Sequence, residues 1–199
     1  ELQPEGKQAA DMLLAATQRF TQGSERIEAA IKELSSQDNR TRQDAVEKLA
    51  QAGTAIVNPM LHALADRSRQ AEHPQIRTAL VQLAGTTELP LLAAIDTPDS
   101  ELKKQMIAVL GLMGSLRSAV YLVRPAVDAG TPAELRQLAA AALQKITGTA
   151  PDLYEAEKYL TRQIAKLMWG DVPFIKDALN QVQFWSWDPA AQGVVRVTM

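Results

Sequence analysis

Apolar positions recur along this chain at spacings of three and four, the mark of helices with one buried face. Ala10, Met12, Leu13, Ala16 and Phe20 predict a helix over 7–20. Gly23 and Ser24 interrupt it, and Ser24 is the predicted N-cap of a second helix carrying Ile27, Ala30, Ile31 and Leu34. After Asp38, a third helix places Ala45, Val46, Leu49 and Ala52 on one face and stops at Gly53. Far along the chain, Ala150-Pro-Asp152 opens a last long helix from Leu153 to about Trp169, with Tyr154, Ala156, Leu160, Ile164 and Leu167 available for burial. A short helix is predicted over 173–180. The pattern then changes: Val182–Trp187 and Val194–Met199 have strand composition, and Asp188–Gly193 lies between them. That predicts a β-hairpin with a six-residue loop. A lone hairpin is marginal in water, so this one is expected to pack on the last helices or to belong to a domain continuing past Met199.

Between these ends the pattern repeats. An apolar helix ends at an aspartate, a short turn follows, and the next helix carries a basic residue near its start. The aspartates are Asp38, Asp66, Asp96 and Asp128, and the basic residues are Arg42, Arg77, Lys103 and Arg136. Pro59, Pro90 and Pro125 lie in three of the helices before the turn, and Gly53, Gly85, Gly114 and Gly148 follow the helices after it. Successive basic markers are 35, 26 and 33 positions apart (42 to 77, 77 to 103, 103 to 136). A period near 30 is the range of stacked helix pairs, each unable to bury both faces alone.

The layout of Pro59, Leu61, Leu64 and Asp66, a turn, a basic residue, and the Ala45-x-x-x-Leu49-x-x-x-Gly53 helix end resembles HEAT repeats, closest to the short kind shared with bilin-lyase-like proteins. The resemblance covers about 24–148 as four helix pairs, clearest over Ala55–Gly85. Arg67–Glu72 departs from the family layout as an insertion, Lys103 stands where the family has arginine, and the third unit has only Glu88–Asp96 before its turn. The resemblance implies an all-α fold, an α–α superhelix, in which the Asp and basic side chains bond between neighbouring repeats at the turns. Ala139–Ala142 are expected to let helices approach closely. The expected organisation is a capping helix over 1–23, repeats over 24–148, C-terminal helices over 149–180 and a hairpin over 181–199, with the start of a further domain as the alternative reading of the last. The segment Phe184-Trp-Ser-Trp-Asp188 is similar to one that follows HEAT-like repeats in large multi-domain proteins of planctomycete-type bacteria. That resemblance implies an exported or periplasmic piece of a larger protein.

Composition agrees with helices. Alanine and leucine supply 56 of 199 residues, 32 and 24, whereas Phe, Trp and Tyr supply nine. Lys plus Arg number 21 against 23 Asp plus Glu, a net charge of −2, which disfavours nucleic acid as a partner. The absence of cysteine excludes disulfides, thiolate catalysis and cysteine-ligated zinc. No run of 18 apolar residues occurs, so no membrane insertion is expected of this segment.

Candidate chemistry is sparse. His62 and His73 are not in a His-Glu-x-x-His arrangement and read as surface or cap residues, so no metal or other cofactor is expected. Gly111-Leu-Met-Gly114 lacks the context of a phosphate loop and reads as a helix end, and Ser115 has no evident base. Arg117 and Arg124 share a helix face with Tyr121, a candidate partner contact beside the alternative of a solvated face. Five of the nine aromatics, Trp169, Phe174, Phe184, Trp185 and Trp187, fall in the last 31 residues. Alternation sets Phe184 opposite Trp185 and Trp187, so one side packs as a small core while Trp185, Trp187 and Asp188 are the candidate binding residues. The expected function is a non-enzymatic scaffold for a protein or peptide, with the hairpin closing one end of the helix stack. The alternatives are an enzyme of the bilin-lyase or DNA-glycosylase type and a structural spacer with no ligand.

Overall fold

Aspartates and serines start helices here because their short side chains accept hydrogen bonds from the N–H groups that a first turn leaves unpaired. A computed structural model describes residues 23–170 and 182–197; the expected cap helix over 7–20 and the short helix over 173–180 lie outside them. Helix α1 covers 23–33, so Ser24 sits inside it and is not its cap. α2 (Asn39–Gln51) begins on Asp38, whose carboxylate accepts from the N–H groups of Arg40 and Thr41. A 3-10 turn, Gly53–Ile56, leads into α3 (Val57–Ala65), and a second, Arg67–Glu72, leads into α4 (His73–Gln82).

α5 (Ala84–Ala94) departs from expectation. Gly85 is its second residue and does not terminate α4, so the third unit gains a full helix before its turn. The reason is Thr87: fully buried, its hydroxyl donates to the carbonyls of Leu80 and Leu83, satisfying the end of α4 while α5 begins. α6 (Ser100–Met113) starts on Asp99, which accepts from Glu101 and Leu102 N–H. α7 (Leu116–Val127) starts on Ser115, α8 (Ala133–Thr147) follows Pro132, and α9 (Leu153–Met168) starts on Asp152. Gly114 (φ 68°) and Gly148 (φ 82°) close α6 and α8 in the left-handed region, where a side chain is strained.

The packing order skips alternate helices. α3, α5, α7 and α9 contact one another in succession, and so do α4, α6 and α8, with α7 lying along α8. The core between them is built from residues such as Leu49, Met60, Leu61, Leu80, Leu91, Met106, Ile107 and Leu110, all fully buried. α6 and α8 approach closely at Gly111, where an added Cβ falls 2.8 Å from the Ala142 Cβ. Of the four-alanine run, Ala139 and Ala142 are buried, and Ala141 is exposed on the far side.

The chain is therefore mostly helical, with a small two-stranded antiparallel sheet near its C-terminal end. Strands β1 (Phe184–Asp188) and β2 (Gly193–Val197) pair from Phe184–Val197 to Asp188–Gly193. The hairpin packs on α3 and α5, in the middle of the helical array, and among the described residues these helices are its main support. No described helix is long and apolar enough to cross a membrane.

Candidate functional site

α5 explains the position of the hairpin. Leu91, Leu92, Ala93 and Ala94 are consecutive and all buried, and four consecutive residues point to every side of a helix. A helix apolar all round requires cover all round. Neighbouring helices supply part of that cover, and the hairpin lies on the remainder.

The register sends Trp185 and Trp187 to one face of the hairpin with Val194 and Arg196, and Phe184, Val195 and Val197 to the other. The first face meets the helices: both tryptophans are half-buried against the core and Val194 is buried. Phe184 on the opposite face is 37% exposed. Asp188 turns back on its own loop, accepting from Ala190 N–H at 2.9 Å.

Asn58 fixes the hairpin to α3. Its Nδ2 donates to the Val194 carbonyl at 2.9 Å, and its Oδ1 accepts from the Val194 N–H at 2.8 Å. His62, one turn on, donates from Nε2 to the Gln192 carbonyl at 3.1 Å. Gly193 is required there, since a Cβ at that position falls 2.7 Å from Asn58 Oδ1. The indole N–H groups of Trp185 and Trp187 are buried without an acceptor. Each such group costs about 1–3 kcal/mol of desolvation. The sequence did not single out Asn58 or Gly193 as contact residues and read His62 only as a surface or cap residue; the all-apolar run in α5 was the signal that something covers this face.

The repeated turn residues act mostly within their own turns. Asp38 accepts from the Thr41 hydroxyl at 2.7 Å, and this bond with the Thr41 and Arg40 N–H groups holds its carboxyl below the ordinary aspartate range. The Ser68 hydroxyl and N–H do the same for Asp66. Asp128 accepts from Gly130 N–H. Arg42 donates to the Ser36 and Gln37 carbonyls and to Asn39, and Arg136 donates to the Ala129 carbonyl. Arg77 reaches across from α4 to Gln105 of α6 at 2.7 Å. At the third turn the structure uses neighbouring residues: Asp99 caps the helix, and Lys104 pairs with Glu101 and with Glu134 of α8 at 2.8 and 2.7 Å. Lys103 and Asp96 make no side-chain hydrogen bond or ion pair among the described residues. They line instead, with Tyr121, Arg124 and Asp128, an open cleft of about 580 Å³.

Arg117 is drawn away from Tyr121 and Arg124 into an ion pair with Glu88 of α5 at 3.0 Å. The same carboxylate accepts from the Ser115 hydroxyl, so Ser115 has an acidic partner after all, in a helix cap that also receives Ser118 N–H. No hydrogen bond or ion pair among the described residues joins Trp185, Trp187 or Asp188 to Arg117, Tyr121 or Arg124. His73 is buried, its Nε2 between the Ala63 and Asp66 carbonyls at the end of α3. Among the described residues no group of three His, Cys, Asp or Glu is placed to hold a metal.

Among the described residues, several of the exposed large apolar side chains lie on α9. Of the residues the sequence offers for burial, Tyr154, Ala156, Leu160, Ile164 and Leu167, the structure covers only part, and Tyr154 is exposed. Ala156 is buried against the body, and Tyr159 and Leu160 are half-buried. Burial holds the Tyr159 hydroxyl above its ordinary pKa by disfavouring the phenolate. Towards the C-terminal end the side chains are exposed: Ile164 is 57% exposed, Leu167 47%, Met168 80% and Trp169 81%. Scattered apolar residues are ordinary on surfaces, whereas several exposed apolar residues lie together on this one helix. No protein-family model matches the chain, and no curated protein is similar to it.

Proposed function

We propose that this chain is a protein-binding scaffold, a HEAT-like superhelix of stacked helix pairs, that receives an amphipathic helix of a partner protein on α9. The carrying observation is the apolar row on α9, exposed among the described residues at Leu153, Ile164 and Leu167. Leu153, half-buried Leu160, Ile164 and Leu167 follow one another at spacings of 7, 4 and 3. That row has the ridge geometry that fits the groove of another helix. The preceding helix of the same row, α7, already uses such a surface on α8. α9 continues the row, touches α7, and, among the described residues, carries exposed apolar side chains at Leu153, Ile164 and Leu167. Support for the superhelix comes from the packing of alternate helices and from the recurring polar turns.

The occupant is assigned as a helix because the row is straight, about 14 residues long and lacks the paired main-chain contacts that hold a strand. Lys158, Arg162 and Lys166 lie on the opposite side of α9 and supply the solvated back. The test is capture of a partner by wild-type chain, by Ile164→Glu/Leu167→Glu and by Lys158→Glu/Arg162→Glu. The account expects the first double variant to lose the partner and the second to retain it. Retention by both variants, or loss by the second alone, contradicts it.

A further inference from the structure

The third turn stands apart from the other three. At the first, second and fourth, the recurring charged residues are spent on structure. Asp38, Asp66 and Asp128 accept hydrogen bonds within their own turns, Arg42 and Arg136 donate to main-chain carbonyls, and Arg77 donates to Gln105. At the third, neighbours take over these tasks: Asp99 caps α6, and Lys104 bridges Glu101 and Glu134. Asp96 and Lys103 are thereby left without a side-chain partner among the described residues, and so are Tyr121 and Arg124, one helical turn apart on α7. All four line the open cleft of about 580 Å³, whose floor includes buried Ile95 and Leu135. Asp96 pairs with neither cation, although it shares the cleft with both.

We propose that this cleft binds an extended peptide segment of a partner, with an acidic side chain held by Lys103 and Arg124, an apolar or aromatic neighbour on Tyr121, and a basic residue facing Asp96. Charge complementarity selects that ligand. Opposite charges left unpaired in one cleft are satisfied together by a ligand that carries both signs. The Arg124 guanidinium presents paired N–H donors that match a carboxylate, and Lys103 adds a compact charge beside it. A phosphate dianion fits less well, because Asp96 and Asp128 border the same cleft and repel it. Tyr121 is 44% exposed, so its ring offers apolar contact area at little cost in side-chain entropy. A small molecule binds tightly by burying most of its surface, which an open cleft does not provide, whereas a peptide extends along it. The inference rests on neither α9 nor the hairpin.

The experiment uses the full chain and a set of fluorescein-labelled peptides with blocked ends. All share one phenylalanine and one lysine in a glycine–serine background, and they differ at a single position that holds glutamate, glutamine or phosphoserine. By anisotropy, wild type is expected to bind the glutamate peptide about tenfold more tightly than the glutamine peptide, the effect of one charge-assisted hydrogen bond. Lys103→Glu/Arg124→Glu should abolish that preference. Arg40→Glu/Lys145→Glu, the same charge change at exposed positions away from the cleft, should keep it. Ile164→Glu/Leu167→Glu should keep it too, which separates failure of this cleft from failure of α9. If the charge reversal loses helical circular dichroism, Lys103→Gln/Arg124→Gln takes its place. Equal binding of the glutamate and glutamine peptides, binding of neither, or tightest binding of the phosphoserine peptide overturns the proposal, as does a preference that survives removal of both cations.

Discussion

Asn58 and Val194 stand 136 positions apart and are joined by two hydrogen bonds of 2.9 and 2.8 Å, side-chain amide to main-chain N–H and carbonyl. Through that pair the end of the chain is returned to the middle of the helical array.

Asn58→Ala leaves both main-chain groups of buried Val194 without partners, and an unsatisfied buried group costs about 1–3 kcal/mol. The hairpin should therefore undock before the helices unfold. In urea, tryptophan emission is expected to change at a lower concentration than helical circular dichroism, whereas the wild type is expected to change together by both probes. Trp169 is already exposed, so the emission change reports Trp185 and Trp187.

Gly111→Val tests the close approach of α6 and α8. Its Cβ meets the Ala142 Cβ at 2.8 Å, well inside van der Waals contact. Overpacking of this kind costs about 1–3 kcal/mol. At about 2–4 °C per kcal/mol for a domain of this size, Tm should fall by roughly 2–12 °C. An unchanged Tm means that α6 and α8 do not pack through Gly111.

Acid should loosen the turns. Asp38 and Asp66 are held below the ordinary value of 3.8 in the folded chain, chiefly by the hydroxyls of Thr41 and Ser68. A carboxyl depressed by folding stabilises fully above its unfolded-state pKa, and that contribution is lost as pH falls through the folded-state value. Wild-type Tm should thus decline below about pH 4. Asp38→Asn/Asp66→Asn keeps capping side chains that do not titrate, so its Tm should decline less steeply over the same range. Parallel declines contradict the assignment.

The helices were legible where a capping residue stood alone, and illegible where two competed. Asp38 and Asp152 each precede a clear apolar period, and both cap. Asp96 and Asp99 sit three apart in one turn, and only the folded backbone chooses Asp99. Gly85-Thr-Thr87 has the composition of a break, yet tertiary burial of the Thr87 hydroxyl makes it the start of α5. The hairpin and the facing of its tryptophans followed from alternation. Its seat did not, because an asparagine before a proline carries no mark of a partner 136 positions away. On α9 the apolar period predicted a helix correctly but not its burial, since periodicity reports which face is apolar and not whether a neighbour reaches it.

The central claim is that α9 receives a partner helix on its apolar row. A photoactivatable benzophenone side chain placed singly at positions 155, 158, 162, 164, 167 and 168 of the full chain tests it most directly. Substitution at Ile164, Leu167 and Met168 is expected to crosslink a partner protein through a helical segment with its own three-four apolar spacing, whereas Glu155, Lys158 and Arg162 on the opposite side are expected to give none. Equal yields around the helix, crosslinks confined to the charged side, or no crosslink at any position would contradict the account.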